Sequence, residues 1–120
     1  MNVLFDENMP MRLRHDLPGH EVRTVVRMGW GSIQNGDLLR RASHDFDVLL
    51  TCDLRMQFQQ NVPNFDIAVF VLSAPKNDFA HLRPLMPQVL ALLTSSLTPG
   101  TVTVLAESVT ESGARSRSTP

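Results

Sequence analysis

The chain is poor in several residue types whose absence excludes whole classes of protein. A single cysteine, Cys52, stands in 120 residues, so neither an internal disulfide nor a thiolate zinc cage can form, and a reducing compartment fits. Long apolar runs are missing too: the longest, Ile67 to Leu72, has six residues, against the roughly 20 a membrane-spanning helix needs. The opening Met1-Asn2-Val3-Leu4-Phe5-Asp6-Glu7 has no basic region and reaches two carboxylates before a signal-peptide core could form. The expectation is a cytoplasmic protein with one domain, long enough to bury an ordinary core and with no part in a membrane.

Lysine is scarce as well. Ten of the eleven basic residues are arginines and Lys76 is the only lysine. Arginine's planar fork suits phosphate and carboxylate better than an ammonium point charge does, although an arginine-rich genome produces the same count. Twelve acids leave a formal charge of −1. That sum argues against holding nucleic acid by charge alone, but not against an enzyme that engages RNA or DNA briefly.

What is present is an alternation of short apolar runs and amphipathic stretches. Val3-Leu4-Phe5 reads as a buried strand that ends abruptly in Asp6-Glu7-Asn8. Met9 to Leu17 reads as a short amphipathic helix on Leu13 and Leu17, stopped by Pro18-Gly19. Glu21 to Val26 alternates with period two, and Gly29-Trp30-Gly31 marks a loop. Asn35 is then expected to cap a helix from Gly36 to about Asp45, with Leu38, Leu39 and Ala42 inward and Asp37 in its first turn. Val48 to Thr51 is another buried strand, ending at Asp53, and a short helix or turn is expected from Met56 to Asn61. Ile67 to Leu72 is the most strand-like stretch, and Phe79 to Leu93 a helix that Pro84 and Pro87 delay or kink. Thr101 to Leu105 is a last strand. The expected division is a folded domain over 1–106 and a disordered tail over 107–120, where there is little to bury.

Strands alternating with helices predict an α/β fold, an open and mostly parallel sheet of four to five strands in 2-1-3-4 order with helices on both faces. Sites in such sheets form beyond the carboxyl ends of strands, where the strand order reverses. If the first and third strands are neighbours, Asp6 and Asp53 emerge near one another, and Asp37 joins them from the helix start. Three gathered carboxylates repel unless a cation joins them. Oxygen ligands without cysteine or closely spaced histidine favour Mg²⁺ or Mn²⁺ over zinc. Such an ion suits phosphodiester hydrolysis, in which a water must be oriented and acidified and a leaving oxygen stabilised.

Each acid also has a plainer reading. Asp37 in a first helical turn is favoured by the helix dipole at roughly 0.3 to 1 kcal/mol, and Asp53 is a natural turn or cap residue. Trp30 stacks on a base or folds back over the core. Arg55 and Gln57 contact a nucleic-acid backbone or belong to a solvated turn. Cys52, in acidic surroundings with no adjacent histidine, is read as a packing residue.

Leu4-Phe5-Asp6-Glu7-Asn8-Met9-Pro10, Gly36-Asp37-Leu38-Leu39-Arg40-Arg41-Ala42, Leu49-Leu50-Thr51-Cys52-Asp53 and Gln57-Phe58-Gln59-Gln60-Asn61, in that order, resemble the small PIN-like proteins of bacteria. These are relatives of the PIN-domain ribonucleases that act as toxins in toxin–antitoxin pairs. The resemblance runs from residue 2 to residue 105. It implies a metal-dependent endoribonuclease in which Asp6, Asp37 and Asp53 hold Mg²⁺ or Mn²⁺ and Glu7 assists. Asn8, Thr51, Arg55 and Gln57 then lie toward the substrate, RNA or DNA. It also implies an antitoxin partner and a homodimer. Two departures stand out. Larger PIN nucleases carry a further Glu on an element this chain lacks, and Arg55 stands where many relatives have a second acid. Both leave fewer anionic ligands, so a catalytically lapsed module that binds a protein or nucleic acid without cutting is the alternative. A phosphoryl-accepting receiver domain gathers acids at the same sheet edge, but it needs a lysine on the last strand, where this chain has none.

Overall fold

A computed structural model describes residues 1–59, 61–95 and 97–107. Its centre is a five-stranded sheet with every neighbouring pair parallel, in the order β2-β1-β3-β4-β5. The strands are β1 (Asn2–Phe5), β2 (Glu21–Thr24), β3 (Val48–Thr51), β4 (Ala68–Ser73) and β5 (Val102–Ala106). The α/β class, the parallel sheet and the adjacency of the first and third strands are therefore as the sequence predicts.

The middle strands are continuous apolar runs because both of their faces are covered. On one face Val3, Phe5, Val48, Leu50, Phe70 and Leu72 pack with Leu13, Leu82, Leu85, Met86 and Val89. On the other, Leu4, Leu49, Val69 and Val71 pack with Leu38, Leu39, Ala42, Phe46 and Met56. The period of two along each strand divides the same run between two cores.

The helices differ from expectation in ways their residues explain. Helix α1 is Asn35–Ala42, capped by Gln34 with no side-chain hydrogen bond, so Asn35 lies inside the helix and is not its cap. It ends before Asp45 because Ser43 takes the C-cap, its N–H donating to the carbonyls of Leu39 and Arg41. The stretch after β1 is a 3₁₀ turn, Met11–Asp16, and not an α-helix. The expected helix from Phe79 to Leu93 is divided into α2 (Phe79–Leu82), a 3₁₀ turn Arg83–Leu85 and α3 (Met86–Thr94). Pro84 and Pro87 lie at the starts of the second and third pieces, where a missing N–H costs least. The expected disordered tail lies outside the described residues, apart from Glu107. Among the described residues no helix is long and apolar enough to cross a membrane.

Candidate active site

The register of the sheet decides which polar groups meet. Phe5 stands opposite Leu50, and Asp6 continues that ladder by donating its N–H to the Leu50 carbonyl at 2.9 Å. The next cross-strand neighbours are Asp6 and Thr51, at the carboxyl ends of the two central strands. Asp6 shares the face of Leu4, and Thr51 that of Leu49, so both side chains project toward α1. The Thr51 hydroxyl donates to Asp6 Oδ2 at 2.7 Å. The same oxygen accepts from the Asp53 N–H at 3.0 Å. One hydroxyl thus ties the acid ending β1 to the backbone of the acid following β3.

Asp6 is 9% exposed, and its Oδ1 accepts from the Glu7 N–H at 2.9 Å. Asn8 also lines the cleft, and its Oδ1 accepts from the Cys52 N–H at 3.1 Å, which fastens the loop after β1 to the loop after β3. Asp53 caps the 3₁₀ turn Leu54–Phe58, accepting from the Arg55 N–H at 3.0 Å. The Arg55 guanidinium closes on it in bidentate fashion, Nε to Oδ1 and NH2 to Oδ2, both at 2.9 Å. These hydrogen bonds, ahead of the remaining causes, hold the Asp53 carboxyl below the usual carboxylate range. Asn35 Nδ2 donates to Asp53 Oδ2 at 3.4 Å.

Asp6, Glu7, Asn8, Asn35, Asp53 and Arg55 line one open cleft of about 510 Å³. The Trp30–Gln34 loop and the start of α1 also line it, and a Cβ added at Gly31 would lie 3.6 Å from Glu7 Oε2. Trp30 meets Phe46 edge-on, with ring centroids 6.3 Å apart, so it closes the core while bordering the cleft. Gly29, at φ 77°, allows the reversal that returns Trp30 to the sheet, where its N–H donates to the Val25 carbonyl at 2.8 Å.

Asp37 is not in this cleft. Its exposed carboxylate pairs with Arg40 NH2 at 2.8 Å along the outside of α1, and that hydrogen bond lowers its pKa first. Gln57 donates to the Leu54 carbonyl within its own turn at 2.9 Å and does not line the cleft. Among the described residues no three Asp, Glu, His or Cys side chains come together as metal ligands. The carboxylates of Asp6, Asp53 and Glu7 are nonetheless the donor chemistry of Mg²⁺ or Mn²⁺, ions that are commonly held by one or two carboxylates together with substrate phosphate. Each carboxylate oxygen has two acceptor sites, so the hydrogen bonds at Asp6 leave lone pairs free.

Among the cleft residues not singled out in the sequence as site residues are Asn35 and Phe58. Asn35 reads locally as a cap. Phe58 falls in the stretch expected as a short helix or turn and is 76% exposed at the rim; its flanking glutamines are the only local hint. Cys52 is buried, with Sγ 3.4 Å from Met9 Sδ. Burial first, and the charge of Asp6 second, push its thiol up to about 11, as befits a packing residue.

The fold and cleft define an α/β protein with an acidic site at the carboxyl ends of its two central strands. Compared with protein-family models, with curated proteins and with solved structures, the chain matches none.

Proposed function

We propose that this chain is a metal-dependent endoribonuclease, the toxin half of a toxin–antitoxin pair, hydrolysing phosphodiester bonds in RNA, with DNA the other candidate substrate. The observation that carries the reading is the convergence of Asp6 and Asp53 in one cleft, linked through Thr51. The resemblance to small PIN-like proteins adds the reaction class, the antitoxin partner and a homodimer.

Asp6 and Asp53 are the residues to hold Mg²⁺ or Mn²⁺, which when bound polarises water and phosphate oxygen. The resemblance adds Asp37 to this set, but its carboxylate is paired with Arg40 outside the cleft, so the reading rests on Asp6 and Asp53. Glu7, on the cleft wall, is placed to take a proton from an attacking water at a carboxylate oxygen. Arg55, exposed at the mouth, is suited to a phosphate once it releases Asp53. Titration of the purified protein with Mn²⁺ in a calorimeter, beside cleavage of a fluorescent RNA, tests the reading. Asp6→Asn and Asp53→Asn should each abolish both signals with an unchanged circular dichroism spectrum; undiminished cleavage by either variant overturns it.

One observation favours a second reading. Arg55 occupies both oxygens of Asp53, an internal cation where the first reading puts a metal. A lapsed module that binds a protein partner or nucleic acid without cutting would keep that pair, and it would show no specific Mn²⁺ uptake.

A further inference from the structure

A second cavity, of about 630 Å³, lies away from the acidic cleft and takes in all four residues of β2 together with Met11, Arg14, Arg27 and Met28. Successive strand residues point to opposite faces. A hollow touching four in a row therefore runs along the strand's edge. Among the described residues strand β2 ends the sheet and pairs only with β1. The N–H groups of Glu21 and Val25 donate to the carbonyls of Met1 and Phe5. By the period of two, the backbone of Val22 and Thr24 faces the open side. There the Thr24 carbonyl is taken by the Met28 N–H, which among the described residues leaves both groups of Val22 and the N–H of Thr24 for a further strand.

The charges along this edge are unbalanced. Arg14, Arg23 and Arg27 line it against one carboxylate, Glu21, which already pairs with Arg23 at 3.4 Å. The Arg14 guanidinium has a backbone contact at 3.5 Å, to the Met11 carbonyl. Between the arginines the surface is apolar, with Met11 exposed and Val22 and Met28 half-buried. We infer that this edge receives an extended acidic segment of another protein, added as a sixth strand beside β2. Its carboxylates meet the arginines, and the small apolar residues between them rest on Met11, Val22 and Met28. A nucleic-acid strand offers the arginines phosphate, but it has no N–H and C=O ladder for Val22 and Thr24. A second copy of this chain would set the same three arginines against themselves. Residues 107–120 carry Glu107 and Glu111 against Arg115 and Arg117, so they lack the net negative charge the edge calls for. The inference is independent of the nuclease reading.

The test uses a short fluorescein-labelled peptide alternating Glu with Val, followed by anisotropy on the intact protein. Saturable binding is expected, weakening with added salt, absent for the Lys-for-Glu peptide, and lost when alternate peptide nitrogens are methylated. In the double variant Arg23→Ala/Arg27→Ala, affinity should fall about tenfold, while Arg55→Ala, at the other site, should bind like the parent. Equal binding by the arginine variant overturns the inference, as does indifference to N-methylation or displacement of the peptide by an oligonucleotide. A concentration-dependent dimer that the arginine variant abolishes overturns it in favour of pairing between copies.

Discussion

The Thr51 hydroxyl, 2.7 Å from Asp6 Oδ2, is donor to one acid and acceptor for the backbone of another. It is fully buried, so water does not take its place if the hydroxyl is replaced by a methyl group. Thr51→Val keeps the shape and leaves the Asp53 N–H and an Asp6 lone pair unsatisfied, which costs about 1 to 3 kcal/mol. Urea denaturation should show this loss, while Thr51→Ser should recover most of it.

Arg55 sets the charge environment of Asp53. With Arg55→Ala the Asp53 carboxyl should return toward the usual carboxylate range, as measured by carbon-detected NMR titration. The folded pKa is depressed, so the stability linked to it is present above the ordinary carboxylate pKa and is lost as pH falls through the depressed value. The Arg55→Ala difference in unfolding midpoint should therefore be seen at neutral pH and vanish in acid. The same variant should bind Mn²⁺ more tightly than the parent, since an internal competitor is gone.

Asp37 separates the local reading from the collective one. Its carboxylate is paired with Arg40 outside the cleft, so Asp37→Ala should leave Mn²⁺ affinity within about twofold of the parent. Loss of uptake comparable to that in Asp6→Asn would mean that α1 rearranges to bring Asp37 inward.

Cys52 predicts an alkaline transition. The folded thiol titrates at about 11, above its ordinary value, so the fold favours the neutral form. That stabilisation is complete below the ordinary thiol pKa and is lost as pH rises through about 11. With no tyrosine and one lysine in the chain, few other groups titrate in this window. Cys52→Ala should flatten the decline of the unfolding midpoint there, and iodoacetamide at pH 8 should label the parent only after denaturation.

Two glycines should respond oppositely to alanine. Gly100 has φ 79°, and a Cβ there would sit 3.3 Å from the Pro63 carbonyl oxygen, so Gly100→Ala should cost about 1 to 2 kcal/mol or more. Gly36, in α1, meets nothing closer than 4.0 Å, and Gly36→Ala should be neutral or stabilise by up to about 1 kcal/mol. Thermal unfolding of both variants checks the contrast.

Much of the fold was legible because its signals are local. The runs at Val48–Thr51 and Ala68–Ser73 are too short and too uniformly apolar for surface helices, and the alternation of strand with helix implies parallel pairing. Where the helices stop was less legible. The length of α1 depends on Ser43 taking the C-cap, and the division of the segment after Phe79 depends on how two prolines share three short pieces.

The sequence by itself determined the layered sheet and the placing of Asp6 and Asp53 just beyond the ends of two central strands, because hydrophobic period and strand termini are written in neighbouring residues. Only the tertiary structure decided which acids meet. The register of Phe5 against Leu50 puts Thr51, and not Asp53, beside Asp6. The rotation of α1 turns Asp37 outward to Arg40 while Asn35 reaches Asp53. Those outcomes depend on residues far apart in the chain and on which face each helix buries, and a local pattern of charge and hydrophobicity holds neither.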